Sequence, residues 1–157
     1  MSRPGVKNKR SPTPDPKYGN ILLHRFINKL IKCGKKRTAF NIVYGALEDI
    51  RKKTNEDPLK VFLQCIENVR PLVELKPRRI GGATYQIPVE VPFARSETMA
   101  MRWILMYAKQ RKGKPMKDRL TDELMAAYKK ENSAAIKKRE DTHKMAEANR
   151  AFAHYRW

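Results

Sequence analysis

The chain has 157 residues, the length of one ordinary domain, and 41% of them are hydrophobic, enough for one real core. Against 16 Asp and Glu stand 35 Lys and Arg, a net charge of +19, and so much like charge destabilises a compact state unless a polyanion neutralises it. No apolar run reaches the roughly 18 residues of a membrane span and no apolar signal core opens the chain, which favours nucleic acid over a membrane as the polyanion.

Residues 1–19 carry four prolines among Arg3, Lys7, Lys9, Arg10 and Lys17, with no large apolar residue except Tyr18 near the end. Proline at this density blocks helix, so this stretch reads as an extended basic N-terminal arm. Up to Arg37 there are eleven Lys and Arg and one acid, Asp15.

Helical periodicity starts after Gly19. Leu23, Phe26, Ile27, Leu30 and Ile31 share a face, and Gly34 stands where a C-terminal cap belongs. A second helix from about Lys36 carries Ala39, Ile42, Val43, Ala46, Leu47 and Ile50 and is expected to fray over residues 52–55. Asp57 then offers an N-cap with Pro58 at the first helical position, and Leu59, Phe62, Leu63, Ile66 and Val69 form the expected buried face before Pro71.

The period then changes from 3.6 to 2, over residues 72–91. Val73 and Leu75 alternate with Glu74 and Lys76, and Tyr85, Ile87, Val89 and Val91 follow the pair Gly81 and Gly82. This predicts a β-hairpin, and Pro77 and Pro88 make it an isolated two-stranded arm that protrudes toward something that holds it. Helix resumes near Ser96 with Ala100, Trp103, Ile104 and Tyr107 on one face, and six basic residues lie between Lys109 and Arg119. Leu120, Leu124, Ala127 and Tyr128 mark another helix. A last one, capped by Ser133, runs to about Ala151 with a thin stripe of Ile136, Met145 and Ala146, so weak docking is expected. The fold class is mainly α: a six-helix, bundle-like domain at 20–151 with a protruding β-hairpin, after the arm at 1–19 and before a C-terminal tail at 152–157.

No catalytic or metal constellation accompanies this plan. His24, His143 and His154 are far apart, and no nucleophile elbow, Walker loop or paired carboxylates occur. Cys33 and Cys65 read as reduced, mostly buried thiols, and the methionines at 99, 101, 106, 116, 125 and 145 as core filler. No cofactor is expected.

The charge is distributed unevenly. From Glu48 to Leu75 six acids meet five bases, whereas the arm, the hairpin and residues 109–119 are strongly positive. Lys35, Lys36 and Arg37 at a helix start oppose the helix dipole, which argues for phosphate contact. Arg78 and Arg79 beside the hairpin turn, with Tyr85 near, combine cations with a ring able to stack. Lys137, Lys138 and Arg139, next to Glu140 and Asp141, read equally as a solvated helix face. A structural RNA binder leads; a DNA architectural protein with its β-arm in the minor groove and an RNA-acting enzyme are the alternatives.

The strings Asp15-Pro16-Lys17-Tyr18, Arg78-Arg79-Ile80-Gly81-Gly82-Ala83-Thr84-Tyr85, Met101-Arg102-Trp103 and the ending from Lys137 to Trp157 resemble bacterial-type small-subunit ribosomal protein seven, over essentially the whole chain. The resemblance implies a structural constituent of the small ribosomal subunit. It also implies a primary binder of small-subunit (16S) rRNA that nucleates head assembly, at the subunit interface near the decoding region and exit-site tRNA. The implied rRNA-binding residues are Arg3, Lys7, Lys9, Arg10, Lys35, Lys36, Arg37, Arg102, Arg111, Lys112, Lys114 and Lys117. The hairpin, through Arg78, Arg79, Gly81, Gly82 and Tyr85, would approach mRNA and exit-site tRNA. Lys137, Lys138, Arg139, His143, Arg150, Tyr155 and Trp157 would face tRNA and protein neighbours, with small-subunit ribosomal proteins nine and eleven as partners and no membrane. It implies the cytoplasmic ribosome, with an organellar ribosome as the alternative. Three departures from the family pattern stand at Pro77, at Pro92-Phe93-Ala94 and at Asn132-Ser133.

Overall fold

A computed structural model describes residues 12–155. Helix α1, Ile21–Leu30, starts where the Asn20 side chain accepts the Leu23 N–H, and it buries Leu23, Phe26, Ile27 and Leu30. It ends before Gly34. Cys33 and Gly34 both take positive φ, 52° and 72°, and turn the chain back into α2, Lys36–Thr54, so Gly34 serves the turn and not a helix cap. The predicted fray over 52–55 does not occur. Arg51, Lys52 and Lys53 occupy the last turn of α2, where cations meet the negative end of the dipole, and Asn55 closes it at φ 55°.

Helix α3, Pro58–Val69, has the Asp57 cap and first-position proline that its sequence signals. Its buried face is rotated from the expected one: Val61 and Cys65 point inward and Leu63 is exposed. Asn68 is buried too, and its amide donates to the Ala127 and Tyr128 carbonyls at the end of α5, Met116–Lys129. Those carbonyls lie in a helix's last turn and lack partners within it, so a polar residue is favoured at a position that hydrophobic periodicity skips.

Helix α4, Phe93–Gln110, threads the core, with Ala100, Met101, Ile104 and Ala108 fully buried against α1, α3 and α5. It begins three residues before Ser96, directly after Pro92, so the Pro92-Phe93-Ala94 departure forms a helix start. Phe26 and Phe62 meet edge to face at 5.2 Å within the core. Of the methionines, Met101 is buried, whereas Met106 and Met145 are exposed. Cys65 is buried and donates to the Leu124 carbonyl; Cys33 is exposed, against expectation, because it lies in the α1–α2 turn.

Strands β1, Val73–Ile80, and β2, Ala83–Glu90, form the expected hairpin. Gly81 and Gly82 supply the two positive φ, 55° and 90°, of a type I′ turn. Pairing of Val73 with Glu90 and of Arg78 with Tyr85 puts the alternating apolar residues of the two strands on opposite faces. Tyr85, Ile87 and Val89 share a face with Glu74, Lys76 and Arg78; Val73, Leu75 and Pro77 share the other with Pro88 and Gln86. Pro77 sits opposite Gln86 without interrupting the pairing.

The hairpin is not isolated. Helix α6, Ala134–Ala148, packs on β1, and a 3₁₀ helix, Arg150–Tyr155, packs on β2, so the boundary expected at 151/152 falls within that 3₁₀ turn. Tyr85 and Phe152 place their rings 4.9 Å apart. The turn before α6 uses Lys130 and Asn132 at φ 59° and 51°, so Asn132 takes the left-handed geometry for which glycine is the usual residue.

The apolar stripe of α6 is indeed thin, and polar ties replace it. Glu123 of α5 is fully buried. One of its oxygens accepts Arg111 Nε and Nη2, at 2.9 and 2.7 Å. The other accepts the Ser133 hydroxyl and the Ala135 N–H, joining the end of α4 and the start of α6 to α5. Arg139 donates to the Asn68 carbonyl, and His143 Nε2 accepts the Leu72 N–H at 3.1 Å. Glu123→Ala is expected to leave Arg111, Ser133 and Ala135 without their acceptor and to lower unfolding free energy by about 2–4 kcal/mol, the half-solvated Arg111 keeping it near the low end. A melting temperature within a degree of the parent would show that the carboxylate does not organise this junction.

Candidate nucleic-acid interface

The basic residues divide into two sets according to whether a carboxylate reaches them. Arg111 is held by Glu123, Lys114 by Asp122 at 2.7 Å, and Lys117 by Asp49 at 2.7 Å. Of the four bases from Arg111 to Lys117, expected to face rRNA, three are therefore paired with carboxylates of the protein itself. Lys112 is exposed and has no ion pair among the described residues. The Asp49 contact has a steric condition: a Cβ at Gly45 would fall 2.7 Å from Lys117 Cδ, so this mid-helix glycine leaves room for the lysine stem.

The second set lies on α1, the α1–α2 turn and α4. Lys35, Lys36 and Arg37 are exposed, the first turn of α2 holds no acid, and no side chain caps it. Three cations at a helix N-terminus repel the positive end of the dipole, so the arrangement costs stability and suits an anion. Arg102 stands on the exposed face of α4. Two residues that sequence reasoning did not select join it: Arg25 and Lys29 of α1. Partial burial and the neighbouring Arg102 and Arg25 guanidiniums push the Lys29 ammonium below its usual range. Arg25 is partly satisfied, donating to Thr98 Oγ1 and lying 3.7 Å from Glu97. Among the described residues no carboxylate pairs with Lys29, Lys32, Lys35, Lys36, Arg37 or Arg102. Their common position on the first helix and its turn is visible in sequence; that α4 lies alongside is not.

At the hairpin tip Arg78 and Arg79 are exposed, while Tyr85 is half-buried against Phe152, so this ring is already engaged within the protein. On α6, Lys137 is exposed and Lys138 half-buried, whereas Arg139 and His143 are engaged at the hairpin base. Arg150 opens the 3₁₀ helix and is exposed. Arg3, Lys7, Lys9, Arg10 and Trp157 lie outside the described residues, as does the side chain of Tyr155. Among the described residues no cluster of metal-ligating side chains occurs, and no helix is long and apolar enough to cross a membrane.

With this geometry in place, comparison with known proteins is decisive. Residues 2–150 match the family described as Ribosomal protein S7p/S5e. The chain belongs to that family. It is 57% identical to the small ribosomal subunit protein uS7 of Thermotoga petrophila over 94% of this chain and 95% of that one. It is 55% identical, over the full length of both chains, to the proteins of the same name from Endomicrobium trichonymphae and Thermodesulfovibrio yellowstonii. As a family member it is a structural ribosomal protein and not an enzyme, and its place is the cytoplasmic ribosome.

His143 gives this assembly a pH signature. Burial, with the Arg139 charge second, lowers its pKa from the usual 6.5, and its Nε2 accepts a hydrogen bond only in the neutral ring. The unfolded chain therefore takes up the proton first, so this contribution is complete above about pH 6.5 and declines as pH falls below it. Melting temperatures of the parent and His143→Asn between about pH 8 and 5 should diverge at the alkaline end and converge at the acidic end. Parallel curves would mean that the ring does not titrate with folding.

Proposed function

We propose that this structural protein of the small ribosomal subunit is a primary binder of small-subunit rRNA that nucleates assembly of the head. The observation that carries the reading is the set of carboxylate-free cations on α1, the α1–α2 turn, the start of α2 and α4: Lys29, Lys32, Lys35, Lys36, Arg37 and Arg102. A folded RNA presents phosphates at changing angles, and a deep A-form groove resists base readout by side chains, so affinity comes from phosphate contacts and shape. The helical domain of residues 20–151 is the rigid platform, and the arm of residues 1–19, with Arg3, Lys7, Lys9 and Arg10, extends the contact. Lys112 adds to the same field; Arg111, Lys114 and Lys117 contribute in a reduced way, since their carboxylate partners compete with phosphate.

The hairpin tip, with Arg78 and Arg79 around Gly81 and Gly82, approaches the mRNA path and exit-site tRNA at the subunit interface, near the decoding region. Lys137, Lys138, Arg150 and the residues through Trp157 face tRNA and small-subunit ribosomal proteins nine and eleven. This placement is supported by family membership and by the hairpin's exposed cationic end.

Two measurements test the reading. If about six phosphates are neutralised, affinity for a fragment of small-subunit rRNA falls about a thousandfold between roughly 50 and 200 mM salt; a flat response overturns it. Replacing Lys35, Lys36 and Arg37 together by alanine should make the slope of log affinity on log salt shallower by about 2.7 units, about 0.9 for each lost contact, with unfolding unchanged or slightly improved. A collapse in melting with an unchanged slope would make the cluster structural. Duplex DNA competing equally well would favour a general polyanion binder.

A further inference from the structure

The string Asp15-Pro16-Lys17-Tyr18 stands out in the sequence, and phosphate binding does not account for it. Asp15 is the one acid in the first 37 residues, among eleven Lys and Arg, yet it is buried, with 1% of its surface exposed. An acid in a basic arm would ordinarily be expected at the surface, where it would weaken the field that RNA feels. Here it is the centre of a turn. One carboxylate oxygen accepts the Lys17 and Tyr18 N–H groups, at 3.1 and 3.0 Å, and the other accepts the Tyr44 hydroxyl of α2 at 2.8 Å. Its backbone closes the same turn: the Gly19 N–H reaches the Asp15 carbonyl at 2.8 Å, and the Asp15 N–H reaches the Asn20 carbonyl at 3.2 Å.

The outer side is closed as well. The Tyr18 and Tyr44 rings lie 6.0 Å apart, and Lys17 Nζ stands 5.2 Å from the Tyr44 ring centre while pairing with Glu48 at 2.9 Å. The segment directly N-terminal to α1 is thus fastened to α2, a helix that α1 alone would not oblige it to touch. Apolar packing contributes only through the half-buried Tyr18 ring, since the turn has no fully buried apolar side chain.

We propose that Asp15 and Tyr44 form a latch that fixes the point and direction in which the basic arm leaves the helical body, and that they are positioning residues for RNA binding by Arg3, Lys7, Lys9 and Arg10. The inference rests on the RNA-binding reading above. A polycation attached at a fixed point holds its charges at higher effective concentration near a phosphate path than one attached through a loose root, so the latch contributes affinity without touching RNA. It also removes the arm's one negative charge from the surface.

A double-mutant cycle on the full chain tests this. Tyr44→Phe removes the hydroxyl and keeps the ring, with no change in charge. It is expected to weaken binding of a small-subunit rRNA fragment about tenfold, the low end of the scale of one hydrogen bond to a charged acceptor. In a chain carrying Arg3→Ala, Lys7→Ala, Lys9→Ala and Arg10→Ala, the same substitution should have no further effect, because no arm charge remains to be positioned. Asp15→Asn supplies the second variant and opposes general electrostatics in sign: it raises the net charge by one, so charge alone predicts tighter binding and the latch predicts weaker. Far-UV circular dichroism and melting identify any variant that has lost its fold, and the other variant then decides. Equal losses in both arm backgrounds, an arm whose neutralisation costs no affinity, or tighter binding by Asp15→Asn would overturn the latch. Failure of the parent chain to bind the fragment would instead overturn the RNA-binding reading itself.

Discussion

The constraint on which the fold depends is its surplus of positive charge, and three buried carboxylates answer it. Asp15, Glu74 and Glu123 are the acids buried within the protein, with 1%, 6% and 0% of their surface exposed. A buried carboxylate is unfavourable unless cations, or N–H or O–H donors, surround it. Each of the three is so surrounded, and each stands where the chain leaves the main core: Asp15 before α1, Glu74 at the hairpin base and Glu123 between α5 and α6. Apolar packing is thinnest at these junctions, because the turn at 15–19, the hairpin and α6 contribute few buried hydrophobic side chains. Charge-assisted hydrogen bonds take over there, being roughly twice as strong as neutral ones and more directional.

This placement has a consequence for the outer surface. Carboxylates drawn inward or between helices take particular cations with them. Asp49, Asp122 and Glu123 engage Lys117, Lys114 and Arg111, which lowers the free positive charge where α5 meets α2 and the end of α4. On α1 and the start of α2 only Arg25 meets a carboxylate, that of Glu97, and Lys29 and Arg102 repel one another across the α1–α4 contact. The field is therefore directional, which net charge alone does not convey. A partner that is itself a polyanion meets the unpaired side without having to displace an internal carboxylate.

Much of the helical plan was legible in the sequence because it rests on local rules. The caps at Asp57 and Ser133, the glycine pair of the hairpin and the stripes of α1 and α2 all act within a few residues. What escaped depends on partners distant in sequence. Asn68 is buried because the end of α5 lies against it, Leu63 is exposed because α3 turns another face inward, and Cys33 is exposed because a turn replaces the expected end of α1. The candidate interface divides in the same way. Lys35, Lys36 and Arg37 could be chosen from their place at a helix start, but Arg111, Lys114 and Lys117 looked equally available until their acids were seen to reach them from residues 49, 122 and 123. Lys29 becomes meaningful through Arg102, 73 positions away in the chain but across the α1–α4 contact.

The hairpin shows charge deciding what apolar patterning leaves undecided. Each strand alternates, and the ordinary inference is that both present their apolar residues to one core. Sliding β1 by one residue would achieve that, bringing Val73 and Leu75 onto the face of Tyr85, Ile87 and Val89. The same slip would carry Glu74 to the opposite face, away from Arg95, whose guanidinium it accepts through both oxygens at 2.9–3.1 Å. It would also break the two-residue match across Gly81 and Gly82. The observed register keeps the ion pair and the turn, and it gives the ribbon apolar residues on both faces. Such a ribbon can be supported on each strand, by α6 against β1 and by the 3₁₀ helix against β2 as far as Tyr85, the partner of Arg78. Its far end is left to Arg78 and Arg79, exposed around a turn that has no side chains. This hairpin is thus held on both strands and presents cations beside its turn.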